Sequence, residues 1–244
     1  MFGWKGRIGI LVPSGNSALE SEFNMMKPEG ISVHAAILYC KERPPQDREL
    51  ELLEMAEKTE DAVKRLMPVI SIAKAGVICY GCTSGSFILG LEHDRELVDR
   101  IEAVSGGIPA VTTTDAVLSA LNELDIKRIS VVSPYPEVVN KRLLVTLEDS
   151  GFEIVTMEKT DYPRAEGLPL EISYNLAKKA YRAETDGIFI SCTSLRAVEN
   201  IERLEKETGK PIVTSNQASM WACLKALGYK ETVEGYGRLL RMNR

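Results

Sequence analysis

The sequence predicts an α/β protein of two similar halves, each a small parallel sheet flanked by helices. Three observations carry this. Apolar runs of strand length alternate with helix-periodic segments along the 244 residues. Strand-helix alternation favours parallel pairing with helices on the faces. Short phrases also recur in one order: Ile8–Pro13 and Ile129–Pro134, Cys82-Thr83-Ser84 and Cys192-Thr193-Ser194, then Pro-x-Val-Thr at 109–112 and 211–214. The spacing between matching phrases shrinks along the chain because the first half has longer loops.

In the first half, Arg7–Val12 reads as a buried strand and Pro13–Ser17 as its turn. Asn16 or Ser17 can cap a helix over Ala18–Met26. Ser32–Leu38 is a second strand, and Leu50–Ile72 a single long amphipathic helix. Ala75–Tyr80 is a third strand and Glu92–Val104 a helix that ends at Gly106-Gly107. Pro109–Thr112 is a fourth strand, followed by a helix over Asp115–Leu124.

The second half repeats the order. Arg128–Val132, Phe152–Met157, Gly187–Ile190 and Pro211–Thr214 read as strands. Glu137–Ser150, Leu170–Ala183, Ala197–Thr208 and Gln217–Leu227 read as helices, three of them closed by Gly151, Gly209 and Gly228. The halves divide near Thr113–Asp115. If the helix after each Pro-x-Val-Thr strand packs on the opposite half, the domains are 1–113 plus 217–244, and 114–216.

Apolar residues make up 44% and charged residues 27% of the chain, and the net charge is −5. With no basic block, nucleic acid and anionic membranes are not expected partners. No apolar stretch reaches the ~20 residues of a membrane span, and Ile8–Val12 is too short for a signal-peptide core. An odd count of five cysteines fits free thiols in the cytoplasm. The two histidines, His34 and His93, leave few members for a Ser-His or Cys-His pair and too few ligands for zinc. No metal or cofactor is expected. Oligomeric state stays open, a homodimer among the options.

Chemistry in open parallel sheets sits beyond the carboxyl ends of the strands. Four segments fall there: Pro13–Ser17, Gly81–Ser86, Ser133–Glu137 and Ser191–Leu195. Cys82 and Cys192 each stand where a strand ends and a helix is expected to begin. Unpaired N–H groups and the helix dipole there favour a thiolate. Those N–H groups, with Ser14, Thr83, Ser84, Thr193 and Ser194, can bind a substrate carboxylate. A thiolate serves as nucleophile or base, and a facing neutral thiol as proton donor. The alternative is two small core residues, which matched positions in both halves disfavour. Cys79 and Cys82 are formally C-x-x-C, but Cys79 lies inside a strand and no second pair exists. Cys40 and Cys223 have no motif. Tyr135 is either a hydrogen-bond donor to substrate or a packing residue, and Asn16 either a helix cap or an amide reaching into the cleft.

Together Gly9–Asn16, Tyr80–Phe87, Ser133–Asn140 and Ser191–Arg196 resemble the Asp/Glu racemase superfamily, in particular its maleate cis-trans isomerase and arylmalonate decarboxylase branch. The resemblance spans nearly the whole chain. It implies two pseudo-symmetric, flavodoxin-like domains with the active site between them and no cofactor. The branch's decarboxylases lack the first thiol, so the presence of both thiols disfavours decarboxylation. By similarity to the isomerases, Cys82 is the nucleophile, Cys192 its acid partner, and Asn16 and Tyr135 hold carboxylates. The isomerases carry another asparagine in the loop before the long helix of the second domain. Here Lys159–Gly167 has none, so the substrate can differ from maleate.

The expected activity is isomerisation of a small dicarboxylate such as maleate to fumarate. A two-cysteine amino-acid racemase or related lyase, and a non-catalytic carboxylate-binding module, are the alternatives.

Overall fold

The computed structural model describes residues 2–41, 47–72, 76–162 and 164–242. Two four-stranded parallel sheets organise it. The first contains β1 (Gly6–Pro13), β2 (Ile31–Leu38), β3 (Gly76–Tyr80) and β4 (Ala110–Thr112) in the order β2-β1-β3-β4. The second contains β5 (Arg128–Ser133), β6 (Glu153–Lys159), β7 (Gly187–Ile190) and β8 (Ile212–Thr214) in the order β6-β5-β7-β8. Ranked within its own sheet, each set has the same order, the structural counterpart of the repeated phrases. The central strands are almost wholly buried, as expected for sheets covered on both faces.

The helices of the first half are α1 (Leu19–Met26), α2 (Arg48–Glu57), α3 (Thr59–Ile70), α4 (Thr83–Phe87), α5 (Leu91–Ser105) and α6 (Thr113–Glu123). Those of the second are α7 (Glu137–Asp149), α8 (Leu170–Ala180), α9 (Ile201–Thr208), α10 (Ser215–Ala226) and α11 (Gly237–Arg241). The threonine of each Pro-x-Val-Thr phrase caps the next helix. Thr112 Oγ1 accepts from Asp115 N, and Thr214 with Gln217 forms a full capping box.

The two capped helices tie the halves together. α10 leaves the second sheet and packs on α1, α6, β3 and β4, while α6 leaves the first sheet and reaches β8. α11 packs on α10, α9 and β8, where Arg241 and Arg238 meet Glu202 and Glu205.

Three sequence expectations need correction, and one helix lies outside them. The helix expected over 50–72 is two helices, broken at Lys58 (φ −87°, ψ 0°). Its buried residues keep an unbroken i, i+3, i+4 rhythm through Leu52, Met55, Thr59, Ala62, Leu66 and Ile70, so periodicity could not show the break. The helix expected from Ala197 opens as a 3-10 turn over Val198–Asn200. No helix starts at Cys192; a turn follows it. The five-residue α11 is too short for a periodic signal and was not anticipated. Ala75, at the start of the expected third strand, lies outside the described residues, as do Asn243 and Arg244 of the expected first domain.

Candidate active site

β3 and β7 are the third strands of their sheets, and one of the paired cysteines stands two residues beyond the end of each. Cys82 is extended (φ −141°, ψ 107°) and caps α4, its sulfur accepting from Gly85 N at 3.3 Å. Ser84 Oγ lies 3.8 Å from the same sulfur. Position 85 must lack a side chain: a Cβ there would stand 2.8 Å from the Tyr80 hydroxyl and 3.2 Å from Cys82 Sγ.

Cys192 is reached differently. Its φ is +92°, a left-handed region that L-residues with a side chain rarely adopt. Cys192 N donates to Ser215 Oγ at 3.0 Å, and Ser215 Oγ also accepts from Thr83 Oγ1 at 2.9 Å. One hydroxyl at the start of α10 therefore ties the loops after β3 and β7. Such strain persists only where surroundings over-determine it, and it gathers at functional sites.

Asn16 caps α1 and bridges the two halves. Its Oδ1 accepts from Ala18 N and Leu19 N at 3.0 Å, capping α1. Its Nδ2 reaches across to Thr193 Oγ1 at 3.0 Å, and that hydroxyl donates to Gly81 O at 3.0 Å. Asn16, Thr83 and Thr193 thus act as struts between the halves. Tyr135 is buried, edge-on to Phe87, with its hydroxyl accepting from Ser191 Oγ at 3.3 Å. Ser14 is bonded to the backbone of Cys40. The Ser194 side chain faces a separate cavity beside Glu22 and Pro169, although its backbone N–H serves Cys192.

A small cavity of about 30 Å³ is walled by Cys192, Tyr135, Pro134, Pro136, Arg48, Arg164, Ala165 and Glu166. Cys82, 4% exposed, is not among the residues that line it. Its charge is nonetheless felt by Cys192, Tyr135 and Arg48, so both thiols belong to one electrostatic cluster.

The expected lowering of the thiol pKa values is not what the structure shows. Burial raises Cys82, against the opposing pull of Arg48 and the Gly85 N–H. Burial raises Cys192 to about 11, against the Ser194 N–H. A helix of five residues at Cys82, and none at Cys192, supplies too little dipole to offset desolvation. Burial likewise raises Tyr135 well above the phenol range, so it is a hydrogen-bond donor at neutral pH. Chemistry that needs a thiolate should therefore accelerate as pH rises. We expect kcat/KM to climb from pH 7 through the ordinary thiol pKa of ~8.5 and beyond it, measured as initial rate against pH. A flat profile over that range would contradict a thiol ionising from its buried state.

Sequence reading passed over Arg48, Arg164, Glu166 and Ser215. Ser215 had a signal: it follows the capping threonine as Thr113 does in the first half. The arginines had none, because α2 and the loop after β6 meet only in the folded chain. Among the described residues, no three His, Cys, Asp or Glu side chains are grouped to hold a metal ion.

Comparison with known proteins agrees with this architecture. The maleate isomerase of Pseudomonas putida is 28% identical over 250 residues, covering 96% of each chain. The arylmalonate decarboxylase of Bordetella bronchiseptica is 28% identical over 171 residues, 68% of this chain and 71% of that one. The crystal structure of a Pseudomonas putida maleate isomerase with maleate superposes with a TM-score of 0.87 at 21% identity, over 97% of each chain. A Nocardia farcinica maleate cis-trans isomerase carrying a covalently bound succinylcysteine intermediate superposes with a TM-score of 0.84 at 23% identity, over 96% of this chain and 98% of that one. The profile of the arylmalonate decarboxylase family matches residues 8–240. With a match over nearly its whole length and both sheets in the shared arrangement, the chain belongs to the arylmalonate decarboxylase family.

Proposed function

We propose that the protein is a cofactor-independent maleate cis-trans isomerase that works through Cys82 and Cys192. The observation that carries this is the pair itself: two thiols at equivalent strand ends, sharing Arg48 and Tyr135 as neighbours. Relatives named maleate isomerase, one of them holding a succinylcysteine, support the same reading.

Cys82 thiolate adds to one alkene carbon of maleate, and the π electrons move toward the neighbouring carbon and its carboxylate. Backbone N–H groups and the Tyr135 hydroxyl stabilise the developing negative charge. Cys192, kept as a neutral thiol by burial, donates its proton to that neighbouring carbon. The former double bond is now single and rotates. Cys192 thiolate then takes a proton back as the C–S bond breaks, expelling Cys82 thiolate and leaving fumarate. No net oxidant or proton is consumed.

The test is proton NMR in heavy water with maleate, aspartate and glutamate in separate samples. Growth of the fumarate signal, lost in Cys82→Ser, is the expected result. Deuterium entering the α-carbon of an amino acid, without any fumarate, would establish a racemase instead.

A further inference from the structure

Tyr80, the last residue of β3, is wholly buried, yet its hydroxyl has no hydrogen-bond partner. A buried hydroxyl in that state has lost its water and gained nothing in return, so packing alone would favour phenylalanine there. Its position gives it a use. The hydroxyl and Cys82 Sγ converge on the space above Gly85. A Cβ at position 85 would stand 2.8 Å from the hydroxyl, 3.2 Å from the sulfur and 2.8 Å from the Met55 methyl. Met55, Tyr80 and Cys82 are all buried, so negative charge on that sulfur must be met by donors within the protein.

The Gly85 N–H at 3.3 Å is one such donor, and Ser84 Oγ at 3.8 Å is a more distant second. Arg48 adds positive charge from α2. The other titratable groups within electrostatic reach are Cys40, Cys192 and Tyr135. Burial, and then the charges of Cys82, Asp94 and Cys40, hold the Tyr80 proton well above the phenol range, so Tyr80 remains a donor when the thiol ionises. The neutral thiol and the hydroxyl are not bonded to each other. A hydrogen bond made only to the charged sulfur favours ionisation by its full strength, because the neutral state does not share it. Such bonds are commonly long in an unliganded protein and tighten as charge develops.

We propose that the Tyr80 hydroxyl donates a hydrogen bond to Cys82 once that sulfur has lost its proton, and so stabilises and positions the nucleophile. This rests on the reading of Cys82 as the attacking thiolate. Tyr80 makes no bond to carbon, and its proton stays on the phenol oxygen throughout.

The experiment is alkylation of the full-length protein by iodoacetamide without substrate, wild type against Tyr80→Phe, with the rate at each cysteine resolved by peptide mass spectrometry. A hydrogen bond to a charged group shifts an ionisation equilibrium by about 10- to 100-fold. The more basic sulfur left behind is more nucleophilic by about the square root of that factor. Cys82 alkylation at neutral pH should therefore slow about 3- to 10-fold in Tyr80→Phe, while Cys192 keeps its rate. The variant loses one atom, so access to Cys82 is not narrowed, and its denaturant midpoint should equal or exceed that of wild type. An unchanged or faster rate at Cys82 overturns the proposal, as does an equal slowing at Cys192. A lowered midpoint overturns it too, because the hydroxyl would then have a structural partner. Since no turnover is read, a wild-type protein that fails to isomerise maleate but shows the Cys82 slowing in Tyr80→Phe sinks the functional proposal alone.

Discussion

Cys82→Ser is expected to lower maleate-to-fumarate turnover by a factor on the order of 10³ or more, with little change in stability. An alkoxide at that position would need a far stronger base than the site contains, and loss of a primary nucleophile is among the costliest changes an enzyme can suffer. The substitution is nearly isosteric and keeps an acceptor for the Gly85 N–H, so the fold should survive. Cys192→Ser should cost less, about 10²- to 10⁴-fold, because it removes proton transfer and leaves the addition step. In that variant the adduct on Cys82, its carbanion protonated by water in place of the lost thiol, should build up as a succinyl group visible by intact-protein mass spectrometry. Equal and mild losses in both variants would refute the division of labour between nucleophile and acid.

Glu22→Ala should produce the largest loss of stability, about 3 kcal/mol, read as a shift in the denaturant midpoint. Glu22 is 2% exposed on α1 and accepts from Asn216 Nδ2 at 2.6 Å, Ala197 N at 2.7 Å and Val198 N at 3.2 Å. It thereby pins the first half to the loop before α9 and to α10. Alanine strands three buried donors at once, and water entering from the cavity beside Met25 and Pro169 offsets only part of that cost.

The pH dependence has a definite sign. Burial raises the Glu22 pKa, outweighing its hydrogen bonds. Below the unfolded value of ~4.3 the carboxyl is protonated in both states. As pH rises past that value, the unfolded chain releases its proton first and gains free energy, so stability declines until the folded carboxyl also ionises. The contribution is therefore greatest in acid and smallest at neutral pH. Glu22→Gln should remove this decline, which a comparison of midpoints between pH 4 and 7 would reveal.

Much of the architecture was legible because strand and helix periodicities are local. The runs at Gly187–Ile190, Arg128–Ser133 and Glu137–Asp149 have both a hydrophobic rhythm and a punctuating residue, so their limits could be read within a residue or so. The break at Lys58 was not legible, since the buried positions stay in phase across it. Cys82 and Cys192 were visible as site candidates through their repeated context. Their pKa values were not legible, because burial by residues far away in the chain raises both thiols and the short helix ends supply little dipole against it.

The chain order of strands, the twofold repeat and the paired cysteines were all determined by sequence alone, because each is written in local runs and phrases of a few residues. Only the tertiary structure decided that Asn16 grips Thr193, that Ser215 bridges two strand ends, and that Arg48 and Arg164 converge on Glu51. Those contacts join segments from different halves. Their energy comes from charges and hydrogen bonds taken out of water together, and no local pattern records which distant partners will share that burial.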